Sequence, residues 1–95
     1  MKNSKSILQS AKECYITGRT DRLHRHHVFY GGANRKKSEK YGCWVWLIPE
    51  LHNLSNAGVH LNKPFDIRLK RECQRRFEEL YGHDLFMKEF GRNYL

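Results

Sequence analysis

The sequence predicts an α+β fold in a single small domain, and three observations lead to this expectation. The chain has 95 residues, which is enough for one hydrophobic core. Two runs typical of β-strands lie in the first half, and apolar residues at helical spacing dominate the second half. Hydrophobic residues make up 39% of the chain and charged residues 29%, a balance typical of folded proteins.

The first half predicts a hairpin whose strands flank a short helix. The strand-like runs, 23–29 and 44–48, are rich in aromatic and β-branched residues. Between them, Gly31-Gly32 marks a turn, 33–41 suits a short helix, and Gly42 suits the position just after the helix. The polar residues before the hairpin predict an extended or frayed lead-in.

Three helical segments are expected after the hairpin. The first, a short helix from Pro49 to Asn56, has its proline in the first turn. The clearest helix follows Lys63 and repeats apolar residues every three or four positions, at Phe65, Leu69, Cys73, Phe77 and Leu80. The last runs from Asp84, as N-cap, to Phe90. We expect the last two helices to cover the hairpin, with Trp44, Trp46 and Phe90 available to pack against the long one.

Charge predicts a polyanionic partner. Lysine and arginine number 18 against 10 acidic residues, which gives a net charge of +8. The excess is concentrated in residues 1–48, which carry a net charge of +7, whereas residues 49–95 carry +1. No basic amphipathic helix with a large apolar face appears in that first half, which favours nucleic acid over anionic lipid.

Several classes of protein are excluded on composition. The longest apolar run, 43–48, is too short to cross a bilayer, and the first twelve residues lack the apolar core of a secretory signal. We therefore expect a cytosolic protein with no membrane partner. The three cysteines, Cys14, Cys43 and Cys73, are too few and too scattered for a disulfide framework or a four-cysteine zinc site.

The histidines indicate a site for metal binding or proton transfer. Five of the six lie between positions 24 and 60, and three of them, His24, His26 and His27, fall in the first predicted strand. Strand alternation sends His24 and His26 to one face and His27 to the other. Imidazole binds divalent metals and also transfers protons near neutral pH. Hydrolysis of a phosphodiester requires a base for the water and a cation for the developing charge.

The order of these motifs resembles the HNH nuclease family, also called the ββα-metal or His-Me finger family. The motifs are His26-His27-Val28 on the first strand, Trp44-Val45-Trp46-Leu47 on the second, and Pro49-Glu50-Leu51-His52-Asn53 opening a helix. With CYITGR at 14–19 before them and Gly58-Val59-His60 after them, the resemblance covers about residues 14–60. A looser similarity, to small HNH-like proteins of phages and prophages, continues through the helical cover at about 64–91. The resemblance implies one HNH-like domain over residues 1–95, a ββα-metal hairpin-helix module covered by C-terminal helices.

The resemblance implies a phage-encoded, metal-dependent DNA endonuclease in the cytoplasm of a bacterial host cell. It makes His27 the general base and assigns one divalent metal ion to His26, His52 and His60. His24 is an alternative to His26, because both point the same way. Three imidazoles suit manganese, nickel, cobalt or zinc better than magnesium, which prefers oxygen ligands. Products of the family carry 5′-phosphates and 3′-hydroxyls, and a homodimer would suit double-strand cutting.

The structural zinc of many HNH modules is not expected here. Those modules hold it with two CxxC pairs, whereas Thr17, Ile48 and Leu51 stand at three of the four positions. None of these residues supplies a thiolate, so we expect Ile48 and Leu51 to fill the space as core and the domain to fold without zinc.

The sequence alone does not identify the residue that orients the general base. His26 replaces the acidic residue of the family's first pair, and Cys43 stands where the family has an asparagine. Asn34, Asn53 and a backbone carbonyl are the alternatives.

We expect phosphate contacts from Arg25 and from the basic run Arg35, Lys36 and Lys37. Trp44 and Trp46 are interpreted as core rather than as a base-stacking platform. Tyr30, beside a glycine pair and the basic run, is the better stacking candidate.

A rival interpretation belongs to a different class. The scaffold would serve as a non-catalytic nucleic-acid-binding module, with three or four histidines closed around a structural metal. A third possibility, a phage protein that binds a host protein, would not require the charge bias of the first half. The sequence does not distinguish duplex, branched or single-stranded DNA from RNA.

Overall fold

A short antiparallel hairpin lies at the centre of the fold. In the computed structural model, which describes residues 5–52 and 63–95, β1 is His24–His27 and β2 is Trp44–Leu47. The register pairs His24 with Leu47 and His27 with Trp44. The two predicted strands are therefore confirmed, although each is shorter than its apolar run.

Helix α1, Ala33–Tyr41, connects the strands at the bounds that the sequence predicts. Gly42 follows it with a φ of 75°, in the left-handed region that favours glycine. The backbone N–H of Ile7 donates to the Gly42 carbonyl at 2.9 Å, and a Cβ on Gly42 would collide with the carbonyl oxygen of Lys5. Glycine is thus required here both by its dihedral angles and by a close approach of the N-terminal segment.

The remaining helices follow β2. They are α2, Pro49–His52, then α3, Lys63–Tyr81, and α4, His83–Phe90. The predicted continuation of α2 to Asn56 lies outside the described residues. No helix within 5–52 or 63–95 combines the length and the apolarity that a membrane span requires.

The start of α4 differs from the sequence prediction. Its N-cap residue is Gly82 rather than Asp84, which lies in the first turn of the helix. A carboxylate in the first turn is still favourably placed, because the N-terminal end of a helix carries a partial positive charge.

One buried cluster joins the hairpin to α3 and α4. Its members are Cys14, Val28, Phe29, Cys43, Val45, Leu47, Ile48, Leu69, Cys73, Phe77, Phe86 and Phe90. We call the hairpin face that carries Val45 and Leu47 the inner face. Ile48 is buried and Leu51 packs against the cluster, as expected for these two positions.

The apolar stripe of α3 is confirmed from Phe65, which packs against the cluster, to Phe77, and is wrong at Leu80. Phe65 is only partly buried, and Leu80 is 45% exposed. The ring of Tyr81 instead lies 4.9 Å from that of Phe77. The contacts at the end of α3 follow a spacing of four residues from Phe77, which turns Leu80 toward solvent.

The two tryptophans do not belong to this cluster, contrary to the expectation that they pack against α3. Strand alternation places Trp44 and Trp46 on the opposite, outer face of the hairpin. The residues before the hairpin run along the free edge of β2 and are held there by hydrogen bonds. Trp46 N–H donates to Gln9 Oε1 at 2.7 Å, and Tyr15 N–H donates to the Trp46 carbonyl at 2.8 Å. The lead-in therefore satisfies the backbone of an otherwise open sheet edge.

Candidate functional site

The outer face of the hairpin brings together four chemically distinctive side chains. The register pairs Arg25 with Trp46 and His27 with Trp44. Residues directly opposite each other in an antiparallel pair project from the same face. The expected division of the histidines is confirmed, since His26 lies on the other face and is 1% exposed.

His27 contacts a carboxylate that comes from α1. Its Nε2 lies 2.8 Å from Oε1 of Glu39, while Oε2 of Glu39 accepts a hydrogen bond of 2.6 Å from Arg25 Nη1. All three side chains are largely shielded, with exposures between 14% and 29%. Both oxygens of Glu39 are thus engaged by groups from β1.

This arrangement defines which nitrogen of His27 can act as a base. Burial favours the neutral form of Glu39, but hydrogen bonds from His27 and Arg25 outweigh burial and hold the Glu39 pKa below its ordinary value. Glu39 is therefore ionised at neutral pH and can only accept hydrogen bonds. The proton of neutral His27 then resides on Nε2, which leaves Nδ1 as the atom that can take a proton from water.

Sequence reasoning missed Glu39. On the sequence alone, Asn34, Asn53 and a backbone carbonyl are the alternatives for orienting the base, but in the structure the carboxylate of Glu39 makes the contact. Asn53 lies outside the described residues. One signal was present in the sequence, because Glu39 is the only acidic residue between positions 22 and 49.

The predicted metal ligands are described only in part. His26 is nearly fully buried, with its ring 6.0 Å from that of Tyr30, and His24 is exposed on the same side of β1. Helix α2, which contains His52, contacts both strands, but His60 and the side chain of His52 lie outside the described part. A buried imidazole suits the borderline metals named above. Within 5–52 and 63–95 no group of three or more ligand-type side chains is assembled.

The basic residues assigned to phosphate have different surroundings. Arg35 and Lys36 are exposed, four and three residues before Glu39, so they lie on the same side of α1 as Glu39. Lys37 is partly buried, and its Nζ donates to the carbonyl of Glu89 at 2.6 Å, which ties α1 to the end of α4. Arg25 is held by Glu39, so only two of the four cations are fully presented to solvent.

Tyr30, the predicted stacking residue, contacts two charged side chains of α3. Its hydroxyl donates to Asp66 Oδ2 at 3.0 Å, and the ammonium of Lys70 lies 4.0 Å from the centre of its ring. Burial, together with the neighbouring Asp66 carboxylate, raises the pKa of Tyr30 to about 12. The ring thus already carries a cation and joins the turn after β1 to α3.

Trp46 is better placed than Tyr30 to stack on a nucleic-acid base. It is partly exposed, Lys12 Nζ lies 4.9 Å from its ring centre, and Arg25 Cζ lies 5.2 Å from it. Trp44 is 5% exposed beneath Arg25, whose Cζ is 3.8 Å from the centre of that ring. Trp44 is therefore buried, as its interpretation as a core residue predicts. Trp46 is partly exposed, so the same interpretation is wrong for Trp46.

Comparison of the chain with known proteins gives no match. No family model, no curated protein and no solved structure matches the chain. The functional interpretation therefore depends on the residues and the geometry of the outer face.

Proposed function

We propose that this protein is a metal-dependent endonuclease that hydrolyses phosphodiester bonds in DNA, with His27 as its general base. The observation that carries the proposal is the contact between His27 Nε2 and Glu39 Oε1 at 2.8 Å. It occurs in a protein of net charge +8, at the histidine that the HNH resemblance selects as the base.

The proton transfer follows from the tautomer of His27. Nδ1 removes a proton from a water molecule as the water oxygen forms a bond to phosphorus, and the bond to the leaving oxygen breaks in line. The imidazolium that results is stabilised by the ionised Glu39, as in other imidazole–carboxylate pairs. The family resemblance implies that the leaving oxygen is O3′, so that one product ends in a 3′-hydroxyl and the other begins with a 5′-phosphate.

Arg25 has a positioning role in this scheme. It holds the second oxygen of Glu39 at 2.6 Å and is itself stacked over Trp44 at 3.8 Å. The carboxylate is therefore fixed from two sides, which restricts the orientation of the His27 ring. Arg35 and Lys36, on the Glu39 side of α1, are the cations proposed to meet the DNA backbone.

The proposal includes one divalent metal ion held by His26, His52 and His60. Bound there, the ion would supply positive charge for the scissile phosphate and the leaving oxygen. The packing of α2 on both strands supports this assignment, because it brings the helix of His52 against the strand of His26.

Nicking of supercoiled plasmid tests the proposal. After chelation, the wild-type protein is assayed with manganese, nickel, cobalt, zinc and magnesium, alongside His27→Ala. The matched control is His83→Ala, which removes another imidazole–carboxylate contact, to Glu78 at 2.6 Å on α3. We expect nicking by the wild-type protein and by His83→Ala, and none by His27→Ala.

Full activity of His27→Ala would refute the assignment of the base. A folded wild-type protein that binds DNA but nicks it with none of the five metals would refute the nuclease proposal and favour the binding-module interpretation.

A further inference from the structure

A notch with a volume of about 430 Å³ opens on the outer face of the hairpin, between β2 and the N-terminal segment. Its aromatic wall is Trp44 and Trp46, and its cationic residues are Lys5, Lys12 and Arg25. We call it the tryptophan notch. Its volume lies within the range of about 300–1,000 Å³ that is usual for small-ligand sites.

The walls of the tryptophan notch are held in place by the backbone of β2. Ser6 Oγ donates to the Trp44 carbonyl at 2.5 Å, and Gln9 Oε1 accepts from Trp46 N–H at 2.7 Å. Gln9 Nε2 in turn donates to the carbonyl of Glu13 at 2.8 Å. A ligand would therefore meet a site that is largely formed before it binds, which reduces the entropic cost of binding.

The charges of the tryptophan notch select an anion with an aromatic group. Three of its nine lining residues are cations and none is a carboxylate. Glu39 neutralises Arg25 from outside the notch, so Lys5 and Lys12 supply the positive charge at its rim. Indole faces stack on planar bases of any sequence.

We propose that the tryptophan notch binds one unpaired nucleotide of a single-stranded nucleic acid, with its base stacked on Trp46 and its phosphate against Lys5 and Lys12. The base must displace Lys12 from the Trp46 ring. An exposed cation–π contact is worth about 2- to 5-fold in an equilibrium. Base stacking is worth about 5- to 150-fold, so the exchange is favourable.

The position of the notch connects it with the proposed function, on which the substrate class inferred here rests. Trp44 is the register partner of His27, so the notch adjoins the general base on one face of a two-stranded sheet. A nucleotide held in the notch would place a neighbouring phosphodiester near His27. The inferred substrate is therefore a strand with at least one unpaired nucleotide beside the cut.

Tryptophan fluorescence reports this site directly, because both tryptophans of the chain line the notch. The full chain, in chelator, is titrated with an eight-residue oligothymidylate and with an abasic oligomer of equal length and charge. We expect fluorescence quenching by the thymidylate and an affinity at least about 5-fold higher than that of the abasic oligomer. Equal affinities without quenching would overturn the proposal, and so would equal quenching by a fully paired duplex.

Two further measurements compare RNA with DNA and test the proposed phosphate contacts. An oligouridylate of the same length distinguishes RNA from DNA, and quenching by either supports the notch. The double variant Lys5→Gln/Lys12→Gln should weaken binding of both thymidylate and abasic oligomers and reduce the salt slope by up to about 1.4. The control Arg75→Gln/Lys88→Gln removes two exposed charges from α3 and α4 and should leave the quenching unchanged. An unchanged slope in the first variant would contradict the phosphate contacts.

The two proposals fail independently. Stacking is measured without metal, so quenching by a protein that cleaves neither supercoiled plasmid nor the oligothymidylate with any of the five metals would refute the proposed function alone. Nicking by a protein that shows no base-dependent binding would refute the notch alone.

Discussion

His27 and Glu39 are joined by a contact of 2.8 Å between Nε2 and Oε1, although one residue belongs to β1 and the other to α1. Arg25, two positions before His27, holds the other oxygen of Glu39. Alternation along a strand places Arg25 and His27 on one face, where one carboxylate reaches both. This link determines the tautomer of the proposed base and the predictions that concern it.

Replacing Glu39 with glutamine should lower the rate of plasmid nicking by up to about 10⁴-fold, the loss known for the carboxylate partner of a catalytic histidine. The amide removes the charge that stabilises the imidazolium and no longer selects one tautomer. Single-turnover nicking rates measure the effect. Glu78→Gln, which alters the His83 contact instead, should retain the wild-type rate. Wild-type turnover in Glu39→Gln would show that Glu39 has no role in the reaction.

Glu39 should also make stability depend on pH. Because its pKa is lowered by folding, the ionised carboxylate stabilises the protein above the ordinary pKa of 4.5, and this contribution is lost as the pH falls through the lower, folded-state value. Urea unfolding should show Glu39→Gln to be less stable than wild type at pH 7, with a smaller difference at pH 3. Glu79→Gln, at an exposed ion pair, should change stability by no more than about 0.5 kcal/mol at pH 7. An equally large Glu39→Gln effect at pH 3 would contradict this assignment.

Metal affinity should depend on His52. Calorimetric titration of His52→Ala should show a loss of about 10- to 100-fold or more, since even partners of metal ligands have effects of that size. His83→Ala should bind metal as the wild type does. Equal affinities of the two variants would rule out the ligand set of His26, His52 and His60.

The exposed cations of α1 should contribute to the salt dependence of DNA binding. Replacing Arg35 and Lys36 together with glutamine should reduce the salt slope on duplex DNA by up to about 1.8, at about 0.9 for each phosphate. Lys37→Gln should instead lower the unfolding temperature, because its ammonium is bonded to the carbonyl of Glu89. A slope that falls only in Lys37→Gln would reverse these roles.

Gly42→Ala should destabilise the protein much more than Gly91→Ala does. Both glycines end a helix in the left-handed region, with φ values of 75° and 71°. Alanine at either position incurs the strain of that conformation, about 1–2 kcal/mol. Only at Gly42 would the added Cβ also collide with the carbonyl of Lys5, whereas no atom lies within 4 Å at Gly91. Urea unfolding of the two variants measures the difference in unfolding free energy. Equal losses would mean that the N-terminal segment moves away from the added Cβ without destabilising the protein.

Local features of the chain were determined by the sequence alone. The bounds of α1 and the role of Gly42 follow from glycine chemistry, which acts within a few residues. The separation of His26 from His27 follows from strand alternation, which needs no knowledge of the rest of the fold. The buried centre of α3, at Leu69, Cys73 and Phe77, follows from helical periodicity.

Only the tertiary structure decided which groups meet His27 and which face of the hairpin is covered by helices. The run Trp44 to Leu47 is apolar on both faces, so periodicity does not distinguish inner from outer. The buried cluster contains Val45 and Leu47, which leaves both tryptophans to the N-terminal segment. Likewise, Glu39 meets His27, and Lys37 meets the carbonyl of Glu89, only because α1 packs between the hairpin and α4. These contacts join residues 12 and 52 positions apart, beyond the reach of any local pattern.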